Sequence, residues 1–403
     1  MISESRTRLD LVEYEPGLFD RDKIPDDVGR QIWQDHKSKL EVVFPSPVTD
    51  YKWKLTSQGW IGYIPASEDF SIVIQPKVPL SNLFRMLEYA YDIDWLGAGM
   101  TDLKSLKDFY ESIAKILALR FMDRARKGLY RSYVDECRVL PFVRGRMDID
   151  RLIQKPWEPE PKCHYQKHTP DIEDNQLIAW TLFIIARSGL CERTLPIIRK
   201  AYRATHGIIS LRQFHPADCK GRLYHRLNED YKPLHALCRF FLEHTGPSHE
   251  IGNRTMLPFL IDMNRLFEAF VEKWLTKHLS DRYSLRAQET VNIGDGVNFR
   301  IDLVLYDSLD GQPLCVLDTK YKNRDKPSPE DIMQVVAYAE SKGCTEAVLI
   351  YPIGLTSPLD VMVGKIRVRA LGFDLSGELD EMGRKLITGI LPPTQIPFET
   401  AYA

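Results

Sequence analysis

Asp302, Asp318 and Lys320 are the residues whose types and spacing suggest chemistry in this chain. They lie in Phe299–Lys322, FRIDLVLYDSLDGQPLCVLDTKYK, which reads as two strands joined by a turn. Phe299, Ile301, Leu303 and Leu305 alternate with Arg300, Asp302, Val304 and Tyr306, the period of two that marks a strand. Leu314 to Tyr321 repeats the pattern after Asp310-Gly311, a hairpin signal. Asp302 then shares a face with Val304, and Asp318 and Lys320 share one with Leu314 and Val316. Charges are seldom buried unless paired or bound to a metal. Two carboxylates and an ammonium converging on one hairpin face suggest a metal site with a catalytic lysine. An ordinary Asp–Lys pair on a solvated face is the competing reading.

Register separates the two. With a plain two-residue turn at Asp310-Gly311, Asp302 would face Thr319 and Asp318 would point the other way. A hard divalent cation needs both carboxylates on one side. The metal reading therefore predicts an odd-length loop or a bulge between the strands.

The flanking elements must position these groups. In Met263–Leu275, MNRLFEAFVEKWL, the apolar residues follow a helical rhythm. Glu268 lies on the shoulder of that stripe, and Glu272, one turn on, lies nearer the solvent side. Glu268 is better placed to look into a site between helix and sheet. Downstream, Ser328-Pro329-Glu330-Asp331 starts a helix and Gly343 stops it. Gln334 and Tyr338 are four apart on that helix and share a face. Thr345–Tyr351 reads as a buried strand.

The order is helix with Glu, strand with Asp, strand with Asp-x-Lys, helix with Gln-x-x-x-Tyr, strand. It resembles the PD-(D/E)xK nuclease superfamily, in particular its RecB-like branch. Asp302 matches the first acid, in Ile-Asp rather than Pro-Asp. Asp318 and Lys320 match the D/E-x-K, Glu268 the helix glutamate, and Gln334 with Tyr338 the trailing motif. The resemblance implies Mg²⁺ (or Mn²⁺) held by Asp302, Asp318 and the backbone carbonyl of Thr319. Lys320 would orient or deprotonate the attacking water and offset phosphate charge. Glu268 would hold a water of the metal's shell or steer Lys320. Gln334 and Tyr338 would position backbone or DNA, or simply bond each other on the helix face.

A second resemblance spans nearly the whole chain. GYI and IVIQPKVPLSNLFRMLEYA, then GLYRSYV, LPFVRGRMD, KCHYQKHTPDIEDNQ and DMNRLFEAFV are similar, in order, to the McrC family. That resemblance implies the nuclease subunit of a GTP-dependent restriction system acting on DNA with modified cytosine. Its partner would be a hexameric AAA+ GTPase, McrB, which binds the GTP and recognises the modified base, and whose GTP hydrolysis this chain would stimulate. The absence of a GxxxxGK[ST] motif in the sequence agrees with a motor on another polypeptide. One active site cuts one strand, so a double-strand break implies two nuclease copies or two events. Two other readings remain: a stand-alone RecB-like nuclease in repair or defence, and a non-catalytic adaptor for the GTPase.

Composition sets the frame. At 403 residues, two domains are expected, and 44% hydrophobic content is ample for real cores. The formal net charge of −2 gives no global pull toward nucleic acid, so DNA must be met by local patches or held by a partner. Seven cysteines without CxxC pairs fit a reducing cytosol. Cys163, His164 and His168 lack a second ligand cluster with zinc-like spacing. The N-terminus lacks a signal peptide's apolar core, and the longest apolar run, Leu177–Ala186, is far short of the roughly 20 residues of a membrane span. The chain reads as soluble and cytoplasmic, with no membrane partner.

Residues 1–245 read as a mixed α+β region that contacts the GTPase partner. Residues 255–403 read as an α/β nuclease domain, a mixed sheet flanked by helices, and Thr245–Asn253 as the linker. Arg144-Gly145-Arg146 is a candidate contact loop or a structural turn.

Overall fold

The alternating runs of the last third pair into one six-stranded mixed sheet. Its order across the sheet is Tyr283–Gly294, Val297–Asp307, Pro313–Thr319, Glu346–Tyr351, Ile366–Gly372, Asp360–Val363. The first two pairings are antiparallel, the next two are parallel and the last is antiparallel. The structure is a computed structural model that describes residues 7–391 apart from 67–69, 94–104, 190, 192, 246–248, 252–253, 257, 323–325 and 356–357. Much of the expected linker, Thr245–Asn253, therefore lies outside the described residues.

Helices form on this sheet where the sequence signals them. Met263–His278 is capped by Asp262, whose carboxylate accepts from Asn264 N and Arg265 N. It buries Leu266, Phe267, Phe270, Val271, Trp274 and Leu275, the expected stripe. Pro329–Lys342 starts on Ser328, whose hydroxyl accepts from Asp331 N, and stops at Gly343 in the left-handed region, φ +71°. Its Val335 and Ala339 pack on Val304, Val316, Ala347 and Leu349.

The expected division at 245–255 is not the division of the contacts. One compact unit joins Met1–Leu106 with Pro258–Ala403, and the other is Lys107–Leu257. The reason is a strand pairing. Phe259–Asp262 adds to a four-stranded sheet in the order Thr7–Val12, Phe70–Gln75, Trp60–Pro65, Phe259–Asp262. Backbone bonds from the start of the chain are thus completed by residues beyond 258. A three-stranded sheet, Gly17–Phe19, Trp53–Ser57 and Leu40–Val43, and the helix Asp26–His36 share the core of this part, with Trp53, Ile32 and Leu55 buried.

Gly62 shows how tight that seam is. It pairs with Leu260 at φ +134°, where a Cβ would overlap the carbonyl of Phe259. Gly62→Ala is expected to cost about 3 kcal/mol or more, because neither the dihedral nor the backbone contact can yield. Urea unfolding measures it; a loss under ~1 kcal/mol would show that the strands separate readily.

Two local signals are overridden. In SNLFRMLEYAYD Ser81 has the residue type of a cap, but the helix runs Leu80–Tyr91 from Pro79 and Ser81 lies inside it. Gln31–Leu40 reads as helical, but the helix is Asp26–His36 and Leu40 begins a strand.

The unit Lys107–Leu257 combines long helices, among them Glu173–Arg187 and Tyr231–His244, with a three-stranded antiparallel sheet. Asn175 ties its parts: its amide donates to the carbonyls of Tyr130 and Pro170, and its oxygen accepts from Tyr231 OH at 2.7 Å. The sheet strand Ser132–Val139 is exposed along most of its length, whereas Lys162–Thr169 buries Cys163 and Thr169. No helix among the described residues is long and apolar enough to cross a membrane.

Candidate active site

The register that separates the two sequence readings is the one the metal reading requires. Tyr306 pairs with Pro313 near the turn, but Leu305 pairs with Cys315 and Leu303 with Leu317. Leu314 is the extra residue of a bulge. The turn itself is longer than a two-residue one: Asp307 N donates to Gln312 O, enclosing four residues. A four-residue turn alone would set Asp302 opposite Leu317. The bulge moves its neighbour to Asp318, so both carboxylates come to one face.

Around them the polar contacts are short. Thr319 N and Oγ1 donate to Asp302 Oδ2 at 3.2 and 3.3 Å. Lys320 Nζ stands 2.8 Å from Asp318 Oδ2 as an ion pair but off the hydrogen-bonding angle, and Asp318 Oδ1 has no partner. Lys320 Nζ also donates to Gln334 Oε1 at 3.0 Å, and Gln334 Nε2 donates to Tyr338 OH at 2.7 Å. The Phe299 ring meets Tyr338 edge-on, which holds that end of the relay.

Electrostatics mark the same groups. Asp318 is 1% exposed; burial pushes its carboxyl up to about 6, with Asp302's charge adding and Lys320 opposing. Glu268 is raised to about 7 by burial and then by Asp302. For Lys320, burial favours the neutral amine, but the attraction of Asp318 more than offsets it and the net shift is upward. Lys320 is therefore an ammonium in this state and a donor only. Glu268 accepts a hydrogen bond from Gln288 Nε2. Glu272, half-buried one turn on, lies 3.7 Å from Lys273 Nζ instead.

The sequence readings missed three supports. Lys322 Nζ bonds both oxygens of buried Asp331 at 2.8 and 3.1 Å, tying the end of the Asp318 strand to the first turn of the Gln334 helix. Lys322 continues the alternation of Lys320, a signal that was available. Gln288 carried no signal, since one polar residue in a strand is ordinary. Tyr321 was the third: its hydroxyl donates to Glu13 Oε2 at 3.1 Å and its carbonyl accepts from Tyr14 OH at 2.7 Å. Those partners are 308 and 307 residues away.

Glu13 gives a pH-dependent outcome. It is fully buried, and burial lifts its carboxyl from 4.5 to about 7 despite the bonds to Tyr321 and Lys77. A folded pKa above the unfolded one means the stabilisation is complete below pH 4.5 and lost as pH rises through 7. The loss is about 3 kcal/mol at ~1.4 kcal/mol per pKa unit. Glu13→Gln keeps an acceptor for Tyr321 and removes the titration. It should gain on wild type by up to that amount between pH 4.5 and 8 in urea unfolding. An equal difference at both pH values would refute the assignment.

Elsewhere, Cys163 is buried, Cys137 Sγ lies 3.6 Å from His164 Nε2, and His168 packs on Tyr133. Arg144 stacks over Tyr165 at 4.2 Å, and Gly145 turns at φ +70°. No group of three His, Cys, Asp or Glu side chains among the described residues could hold a metal. A Mg²⁺ site asks for less: one or two carboxylates, with water and carbonyl oxygens completing six positions. The buried Asp318 with a partnerless oxygen, facing Asp302, fits that donor set.

Residues 55–352 match the family model described as McrBC 5-methylcytosine restriction system component, and the chain belongs to that family. Among solved structures it is similar to the refined half-complex from the tetradecameric assembly of Thermococcus gammatolerans McrB AAA+ hexamers with bound McrC. The TM-score is 0.59 at 19% identity, covering 96% of this chain and 100% of that one. The cryo-EM structure of the Thermococcus gammatolerans McrBC complex matches at TM-score 0.45 and 19% identity, covering 68% and 89%. At these identities the likeness is one of fold, a mixed α/β chain with several sheets. No curated protein matches.

Proposed function

We propose that the chain is an McrC-like endonuclease subunit of a GTP-dependent restriction complex, hydrolysing DNA phosphodiesters at a PD-(D/E)xK site with Mg²⁺ or Mn²⁺ and stimulating the partner's GTP hydrolysis. The observation that carries this is the bulge that sets Asp302 opposite Asp318 with Lys320 against the latter. A solvated Asp–Lys pair would not bury its carboxylate to 1% exposure.

Asp302, Asp318 and the Thr319 carbonyl would hold the cation. Bound there, it supplies positive charge against the phosphate and makes water a better nucleophile at neutral pH. Lys320, as ammonium, donates to the attacking water or a phosphate oxygen and offsets developing charge. Gln334, steadied by Tyr338, fixes the direction of that ammonium. Glu268, sharing its proton near neutrality, holds a water on the helix side of the site.

The partner reading rests on family membership and on surface. In the similar solved structure, McrC is bound to McrB AAA+ hexamers. This chain's Lys107–Leu257 unit exposes Tyr133, Phe142, Ile149, Ile153 and Trp157, each 58–74% accessible, around its three-stranded sheet. Apolar groups exposed together mark protein interfaces. We assign that unit to contact with the hexameric GTPase, which binds GTP and reads the modified cytosine. Incubation with that partner, GTP, Mg²⁺ and methylated duplex DNA should give double-strand cuts that need every component. Cutting by the chain alone, without GTP, would favour the stand-alone RecB-like alternative.

A further inference from the structure

Arg286 and Glu289 are three residues apart in the strand Tyr283–Gly294, so a regular strand would place them on opposite faces. Both nevertheless meet Tyr306. Glu289 Oε2 accepts from its hydroxyl at 2.7 Å, and the Arg286 guanidinium lies over its ring at 4.6 Å. The alternation is reset between them. The residue that resets it is Gln288, at φ +53°, a left-handed conformation in the middle of a strand.

The position of the reset matters. Ala287 pairs with Leu303 and Glu289 with Ile301, so Gln288 stands opposite Asp302. Its amide reaches across to Glu268 on the helix Met263–His278. Glycine would supply a left-handed residue without steric penalty. A long side chain kept in a strained backbone position, between two carboxylates, is the pattern of a functional constraint.

We propose that Gln288 is a positioning residue of the nuclease site: its carboxamide holds Glu268 toward the Asp302–Asp318 pair, and the left-handed backbone exists to aim it. This rests on the metal-dependent nuclease reading above. Gln288 would touch neither metal nor DNA. By donating to Glu268 it leaves the other carboxylate oxygen to accept from water in the cation's shell, and it fixes the helix carboxylate beside Asp302. Groups that orient the surroundings of a bound metal commonly set its affinity over a tenfold range or more.

Two variants separate side chain from backbone. Gln288→Gly removes the amide and accepts the dihedral; Gln288→Ala removes the amide and meets the strain. Both are made in the full chain. Mn²⁺ binding is measured by calorimetry, and the Mg²⁺ concentration for half-maximal cleavage is measured with the GTPase partner present. Both variants should bind Mn²⁺ about tenfold more weakly and need about tenfold more Mg²⁺. Stimulation of the partner's GTPase should be unchanged, and the glycine variant should melt no lower than wild type without metal. A metal defect in Gln288→Ala but not in Gln288→Gly would assign the effect to the backbone and overturn the proposal. So would wild-type Mn²⁺ affinity in both. Lys320→Ala run in parallel keeps the two ideas apart. If it still cuts, the nuclease site is wrong. If it is dead while both Gln288 variants match wild type, only the role of Gln288 falls.

Discussion

Lys320→Ala is expected to cut DNA about 10³-fold more slowly than wild type while stimulating the partner GTPase to within about twofold of normal. The size follows from what the proposed site would lose: a preorganised cation beside the phosphate and a donor to the attacking water, groups that contribute on the order of 10²–10⁴ each when lost. The ammonium's position is fixed from two sides, 2.8 Å from Asp318 and 3.0 Å from Gln334. Lys320→Arg keeps the charge but spreads it over a planar fork longer than the site was built for, and an intermediate rate is expected. Single-turnover cleavage of methylated plasmid, beside GTPase rates on the same samples, makes the comparison. Wild-type cutting by Lys320→Ala would end the lysine assignment. Loss of both activities together would point to a folding defect, which a thermal melt detects.

The second large effect concerns the metal. Saturating Mn²⁺ should raise the melting temperature of the wild-type chain, because only the folded state sets Asp302 opposite Asp318. At a concentration one hundred times the dissociation constant the gain is about 2.7 kcal/mol. For a domain of ~150–250 residues each kcal/mol moves the melt by about 2–4 °C. Asp318→Ala should lose this response entirely and lower cleavage by at least about 10³-fold. Asp302→Ala should lose most of both. The comparison is made within each variant, with and without Mn²⁺, so changes in metal-free stability cancel. A full Mn²⁺ shift in Asp318→Ala would place the ion elsewhere and remove the chemistry from this strand.

Local patterns were legible where the physics is local. The caps at Ser328 and Gly343 and the apolar stripe of Met263–His278 act within a turn or two of chain, and they appear where residue types indicate. Requiring both carboxylates on one face was enough to call for an odd residue between the strands. It did not say which one, and the structure answers with Leu314 in a bulge and a four-residue turn. Gln288 was invisible. A left-handed strand residue is set by the helix and strand it lies between, and nothing in its neighbours announces the dihedral.

The division of the chain was the largest departure. A linker signal near residue 250 reads as a boundary between halves, since turn-forming residues cluster there. It is instead where the chain returns to a unit begun by its first hundred residues. The seam is a pairing of Leu260 with Gly62 across about two hundred positions, and backbone pairing of that kind has no local signature.

By itself the sequence determined which residue types were present for chemistry, which strands and helices carried them, and that no GxxxxGK[ST] motif is present for binding a nucleotide. Periodicity, capping and charge are properties of neighbours along the chain, so they can be read there. Tertiary structure alone decided that Asp302 meets Asp318 rather than Leu317, that Gln288 leans to Glu268, and that Glu13 and Tyr14 brace Tyr321 behind the lysine. Each of those depends on packing between segments distant in sequence, where burial and register, not local preference, set the lowest free energy.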